Sequence, residues 1–134
     1  MSRYLLDTDT AIEVFRGRNV RAASALAAHP RQDVALSVVT VAEMVFGAHR
    51  SANAGRNLEL LTRFYSYFEI LPIARAGAEI AGRIRADLES TGQRIGPHDV
   101  LIAGIALSES RVRVTHNTRE FRRVAELSFE DWLG

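Results

Sequence analysis

The sequence contains no cysteine and no lysine, only three prolines and one tryptophan, and no long apolar run. Without cysteine, disulfides, thiolate zinc sites and cysteine nucleophiles are excluded, and thiol content says nothing about compartment. No stretch reaches the roughly eighteen apolar residues that a bilayer span needs. The N-terminus lacks a basic segment followed by an apolar one, so no signal peptide is expected and the cytoplasm is the default location. The absence of lysine makes all 17 basic residues arginine. A genome rich in G and C produces that bias. Phosphate recognition produces it too, because a planar guanidinium matches phosphate bidentately. A formal net charge of +1 argues against a protein that coats nucleic acid non-specifically. It is compatible with an acidic pocket inside a basic rim.

What remains is a chain of 134 residues, 47% hydrophobic and 25% charged, long enough for one domain with a proper core. It shows no internal repeat, low-complexity tract or interdomain linker. A strand over 3–6 leads to a helix near 10–17, with Thr10 and Glu13 at capping-box spacing and Gly17 at its end. A second helical piece covers about 20–28. Val34-Ala35-Leu36-Ser37 reads as a strand, and Thr40-Val41-Ala42-Glu43 opens a helix that ends near Gly47. Leu58, Leu61, Phe64, Tyr65 and Phe68 form one stripe at helical spacing. A short strand follows at 69–73, with Pro72 marking its end or a sheet edge. Helices are expected over about 75–90 and 98–109, the second apolar on most sides and started by Pro97. Val112-Arg113-Val114-Thr115 is a further strand, followed by a loop and a short helix with Glu120 and Phe121. Apolar strands alternating with helices predict an α/β fold, a three-layer α/β/α sandwich around a mostly parallel sheet.

Polar groups follow these strands at their carboxyl ends, where open α/β sheets bind ligands. Asp7 follows the first strand; Ser37, Thr40 and Glu43 the second; Thr115, Asn117 and Glu120 the strand at 112–114. Asp99 opens the buried helix. Carboxylates gathered with no basic partner in their motifs repel one another, and a hard divalent cation with oxygen ligands is their natural companion. Each acid also has a plainer reading. Asp7 can cap a helix, Glu43 lies three residues after Thr40 in capping-box spacing, and Asp99 complements a helix dipole. Asp9 and Glu13 read as capping or supporting groups and Trp132 as a core lid. His29, His49, His98 and His116 lack metal-ligand spacing; His98 and His116 are the ones expected beside the crevice.

Four ordered stretches carry a resemblance over essentially the whole chain. They are Tyr4-Leu5-Leu6-Asp7-Thr8-Asp9-Thr10, Ser37-Val38-Val39-Thr40-Val41-Ala42-Glu43-Met44-Val45-Phe46-Gly47-Ala48, Ile95-Gly96-Pro97-His98-Asp99-Val100-Leu101-Ile102-Ala103 and Val114-Thr115-His116-Asn117-Thr118-Arg119-Glu120-Phe121. Together with the Leu-Ser-Phe-Glu-Asp-Trp ending, they resemble PIN-domain proteins, and among these the VapC-type toxins of bacterial toxin–antitoxin pairs. The resemblance implies a Mg2+- or Mn2+-dependent endoribonuclease with Asp7, Glu43 and Asp99 as metal ligands. Many relatives carry Asp where this chain has Asn117. Glu120 is the expected substitute for that fourth acid, and Asn117 can ligate through its amide or a water. Thr8 and Thr115 are expected to hydrogen-bond a ligand water or carboxylate.

The family further implies a VapB-type antitoxin whose C-terminal segment crosses the crevice, a toxin homodimer, and operator DNA bound only through the antitoxin. The substrate would be structured RNA such as transfer RNA, its backbone positioned by rim arginines, with Arg94, Arg16 and Arg119 as candidates. No membrane partner is expected. A second reading is a non-catalytic module acting through its protein partner, motivated by Asn117. A third is another α/β hydrolase or phosphatase, disfavoured by the lack of a nucleophile elbow or phosphate-binding glycine loop.

Overall fold

Tyr4, Leu5 and Leu6 are all buried, and strand alternation sends their side chains to opposite faces of the sheet they centre. Leu5 belongs to one apolar cluster, with Ala35, Ile84, Ile102, Ile105 and Phe121. Tyr4 and Leu6 belong to the other, with Val34, Leu36, Met44, Leu61 and Val114. Two cores on either side of one sheet make the three layers. The computed structural model describes residues 3–134.

The sheet has five strands, β1 (Tyr4–Leu6), β2 (Val34–Ser37), β3 (Glu69–Leu71), β4 (Val112–Val114) and β5 (Phe129–Glu130), in the order β3-β2-β1-β4-β5. Every pairing is parallel, with Tyr4 opposite Val34 and Val112, Leu5 opposite Arg113, and Arg113 opposite Phe129. All carboxyl ends therefore lie on one edge. The chain runs outward from β1 through β2 to β3, then returns to β4 on the other side of β1. That reversal opens a crevice beside β1 at the carboxyl edge.

Seven helices connect the strands: α1 (Thr8–Arg16), α2 (Val20–Ala27), α3 (Val38–His49), α4 (Ala54–Tyr65), α5 (Arg75–Ser90), α6 (Pro97–Ser108) and α7 (Thr118–Phe121). Two starts differ from the sequence expectation. Helix α1 begins at Thr8, with the Asp7 side chain accepting the Thr8 amide as N-cap, so Thr10 and Glu13 do not form its capping box. Helix α3 begins at Val38, capped by Ser37, whose Oγ accepts from the Thr40 amide at 3.1 Å. Thr40 is thus inside the helix rather than at its cap, and α3 continues through Gly47 to His49. Strand β5, not anticipated as a strand, adds the parallel edge beside β4. Its residues follow a short loop and only two of them pair, too few for periodicity to register. Helices α5 and α6 cross closely: a Cβ on Gly104 would lie 2.3 Å from the Gly77 carbonyl oxygen. No helix among the described residues is long and apolar enough to cross a membrane.

Candidate active site

The crevice at the carboxyl edge is lined by Asp7, Thr8, Asp9, Ile12, Glu43, Asp99 and Asn117 and has a volume of about 280 Å³. Four of the elements around β1 contribute. Asp7 leaves the end of β1, Glu43 projects from α3, Asp99 lies in the first turn of α6, and Asn117 follows β4. The three acids expected to share a site do so. A larger, more apolar hollow lined by Val14, Leu26, His29 and Phe68 lies elsewhere, and none of the three acids is in it.

Asp7 is almost fully buried and serves two purposes that the sequence left as alternatives. Its Oδ1 accepts the Thr8 amide at 2.8 Å as a helix cap. Its Oδ2 accepts the Thr115 hydroxyl at 2.8 Å. Thr115 Oγ1 in turn accepts the Asn117 amide at 3.0 Å, which fixes the loop after β4. Capping and site-building are one arrangement here, because the helix that Asp7 starts springs directly from the central strand.

Glu43 is held by a relay of hydroxyls. Thr8 Oγ1 donates to Glu43 Oε1 at 2.7 Å, and its only proton is thereby committed. The Thr40 hydroxyl, 3.0 Å away, must then donate to Thr8, and Ser37 Oγ donates to Thr40 at 3.5 Å. Ser37 and Thr40 are fully buried. The relay resolves the two readings of Glu43: it reaches across to α1 and is not the closing half of a capping box. His98 Nδ1 lies 3.5 Å from the other oxygen, Oε2, which places His98 at the crevice as expected.

Asp99 carries the strongest electrostatic signature. Burial and then the charge of Asp7 push its carboxyl up to about 6 from 3.8, with Glu120 and Glu43 adding to the rise and Arg113 opposing it. Burial and Asp7 also raise the pKa of Asp9. Asp9, expected to be a supporting group, lines the crevice itself. Its carboxylate accepts the Thr10 amide at 2.7 Å and the His116 amide at 3.3 Å, tying α1 to the loop after β4. His116 faces Asp131, with Nδ1 3.0 Å from Oδ2.

At the fourth position the two candidates are joined by a hydrogen bond. Asn117 stands on the crevice wall and Glu120 does not. Asn117 Nδ2 donates to Glu120 Oε2 at 2.9 Å, and Glu120 acts on Asp99 through space. The histidine reading holds at the far side of the sheet: His29 stacks on Trp132 at 5.2 Å between centroids, and Trp132 is buried.

One expectation fails. The acids do have a basic partner, Arg113 of β4, which in the sequence is one residue of an apolar strand. It is fully buried, with Nη2 3.1 Å from Asp7 Oδ2 and 3.3 Å from Asp99 Oδ1. An arginine between two valines in a central strand was the available signal, since a charge is buried only when paired.

Carboxylates, hydroxyls and a side-chain amide form a donor set of oxygens suited to a hard cation. Burial first, and then the charge of Asp7, raises the pKa values of Asp99 and Asp9 against the opposing pull of Arg113. Among the described residues no three acids or histidines are already spaced as a metal cage, although Asp7, Glu43 and Asp99 line one crevice. Mg2+ keeps several of its waters, so acids lining one crevice can hold it directly or through water, and Asp7, Glu43 and Asp99 fit it.

The chain matches the PIN domain family over residues 4–127. It belongs to that family. Over 132 residues it is 36% identical to a protein named tRNA(fMet)-specific endonuclease VapC from Shigella flexneri, covering 98% of this chain and 99% of that protein. It is 35% identical over 133 residues to a Ribonuclease VapC from Haemophilus influenzae, covering 99% of this chain and all 100% of the other. Among solved structures, that of DNA-bound VapBC from Salmonella typhimurium superposes with a TM-score of 0.92 at 34% identity, covering 98% of this chain and 99% of that chain. This PIN domain is therefore of the VapC type, and the parallel α/β sandwich read from the sequence is the family's fold. The crevice lined by Asp7, Glu43 and Asp99 is the acidic centre of this PIN domain.

Proposed function

We propose that this PIN domain, taken over residues 1–134 as one unit, is a divalent-metal-dependent endoribonuclease and the toxin of a toxin–antitoxin pair. The observation that carries the reading is the convergence of Asp7, Glu43 and Asp99 on one crevice at the sheet's carboxyl edge. It is supported by 36% identity along nearly the whole chain to a protein named as a tRNA(fMet)-specific endonuclease, which makes transfer RNA the first substrate to try.

Asp7, Glu43 and Asp99 are the residues that would hold Mg2+ or Mn2+. The ion, when bound, supplies positive charge that activates water and offsets charge building up on the phosphodiester. The chain's own groups set the geometry. Thr8 and Thr40 orient Glu43, while Thr115 and the Thr8 amide orient Asp7. Glu120, steered by Asn117, adds negative charge that keeps a cation attractive to Asp99. Arg16 lines a groove that shares Ile12 and Glu43 with the crevice, so an RNA backbone entering there meets a guanidinium. Neither Arg94 nor Arg119 lines the crevice or that groove, so Arg16 becomes the first of the rim arginines to test.

By likeness to the VapBC assembly of Salmonella typhimurium, the partner is a VapB-type antitoxin. Operator DNA is then reached through the antitoxin, the toxin pairs with a second copy of itself, and the site of action is the cytoplasm. The deciding experiment incubates purified protein with a transfer RNA pool and Mg2+ or Mn2+ and sequences the new RNA ends. Discrete cuts that vanish with chelator, and in Asp7→Asn and Asp99→Asn, are expected. Cleavage that persists in both variants, or no cleavage of any RNA with either metal, overturns the reading.

A further inference from the structure

Arg113 is the least expected side chain in the molecule. Its register opposite Leu5 and strand alternation place it on the α5–α6 face, among residues that are otherwise apolar. It is completely buried, and its guanidinium carbon sits 3.6 Å from the centroid of the Phe121 ring. Burying a guanidinium is costly unless it is paired, and the side chains around it on this face, such as Leu5, Ile102 and Phe121, are apolar. Its Nε is buried with no hydrogen-bond partner among the described residues. The charge is spent entirely at the other end. Nη1 donates to the Asp99 carbonyl at 2.8 Å, and Nη2 lies between Asp99 Oδ1 at 3.3 Å and Asp7 Oδ2 at 3.1 Å.

The lone pairs of the acids follow from these contacts. Asp7 Oδ2 accepts the Thr115 hydroxyl and lies in ion-pair contact with Arg113 Nη2. Its other oxygen, Oδ1, accepts the Thr8 amide. Asp99 Oδ1 is taken by Arg113, which leaves Oδ2 as its open oxygen. Glu43 Oε1 is taken by Thr8. Nη2 thus holds a positive charge between Asp7 and Asp99, where a second cation bridging the two acids would have to compete with it.

We propose that Arg113 is a resident cation that takes the second cation position of this site, so that the domain binds a single divalent ion per chain. It is a positioning residue: it keeps Asp7 and Asp99 close together without metal and leaves the crevice side of Asp7, Glu43 and Asp99 to hold one ion. The proposal rests on the metal-dependent reading above. It differs from that reading in concerning how many ions bind rather than whether one does.

The test is a titration with Mn2+ of the wild-type chain, Arg113→Met and Arg113→Lys. Free Mn2+ is read by electron paramagnetic resonance and folding by circular dichroism. One bound ion per chain is expected for the wild type and for Arg113→Lys, which keeps the charge. In Arg113→Met the bound Mn2+ doubles to two per chain, with the spin coupling of a close pair. Arg113→Gln, uncharged and still able to reach Asp99, serves the same purpose if the methionine variant does not fold. Two ions in the wild type, or one in a folded uncharged variant, overturns the proposal. No bound Mn2+ in the wild type removes the metal-dependent reading itself, and this proposal with it.

Discussion

At the scale of single residues, the crevice sets burial and repulsion against ion pairing, and Asp99 shows which wins. Its pKa is pushed up to about 6 despite Arg113 beside it, so burial and the neighbouring acids outweigh the guanidinium. In the folded chain the group holds its proton more tightly than an unfolded aspartate does. Its contribution to stability is complete below the ordinary 3.8 and is lost as pH rises through about 6. Asp99→Asn should therefore stabilise the metal-free chain near neutral pH by about 1–2 kcal/mol, a figure reduced for partial solvent exposure. The gain should disappear near pH 4. Urea unfolding in chelator at the two pH values measures it, and a less stable variant at neutral pH would mean that the Arg113 pair dominates after all. Thr8 makes the complementary case. Its hydroxyl is the last step of the relay onto Glu43, so Thr8→Val leaves both Thr40 and Glu43 one partner short. A loss of about 1 kcal/mol in stability is expected, together with roughly a tenfold fall in metal affinity or RNA cleavage, as is typical when a ligand's support is removed. Full activity in a stable Thr8→Val chain would show that the relay does not orient Glu43.

At the scale of elements, helix starts and close crossings place those residues. Ser37 ends β2 and caps α3, and this one dual role sets the phase in which Glu43 meets α1. The capping-box spacing of Thr40 and Glu43 pointed to a later start, because spacing cannot tell which of two polar side chains three residues apart, Ser37 or Thr40 here and Asp7 or Thr10 in α1, takes the cap. The same limit applied at Thr10. By contrast Gly17 ended its helix where expected, in the left-handed conformation with φ of 69°, and α5 matched its predicted span at Arg75–Ser90. Glycine and a strong apolar stripe are local signals; the choice between competing caps depends on what the helix packs against. The crossing of α5 on α6 shows the other element-scale constraint. Gly104 faces the Gly77 carbonyl and the Ala81 side chain, with a notional Cβ 2.3 Å and 3.0 Å away. Backbone cannot retreat as a flexible side chain can, so Gly104→Ala should cost about 1–3 kcal/mol by forcing the helices apart. Since α6 carries Asp99 in its first turn, the variant should also lose RNA cleavage beyond what its unfolded fraction explains. A thermal melt within a degree or so of wild type would refute the close crossing.

At the scale of the whole molecule, most of the fold was legible because each central strand is a short apolar run closed by polar groups, and parallel sheets write themselves that way. The acids of the site were legible for the same reason, as the residues that follow those runs. Strand β5 and Arg113 were not. The first is a two-residue edge strand; the second is a charge whose partners lie 106 and 14 positions away along the chain. Only the assembled sheet brings Arg113 to Asp7, and with it the result that the site is partly neutralised before any metal arrives. That coupling of site charge to global stability gives a measurable consequence. An ion that binds only the folded chain stabilises it by mass action, about 2.7 kcal/mol when present at a hundred times its dissociation constant. For a domain of this size that corresponds to a rise of several degrees in Tm, roughly 3–5 °C per kcal/mol. Protons compete for Asp99 below about 6, so one pH unit lower the ion binds roughly tenfold more weakly and about 1.4 kcal/mol of that stabilisation is lost. Mg2+ at a fixed saturating concentration should therefore raise Tm by several degrees more near pH 7.5 than near pH 5. In Asp99→Asn the difference between the two should shrink or vanish, since the competing proton has no carboxylate to bind. Differential scanning calorimetry with and without Mg2+ measures both, and an equal rise at the two pH values in the wild type would detach Asp99 from the metal.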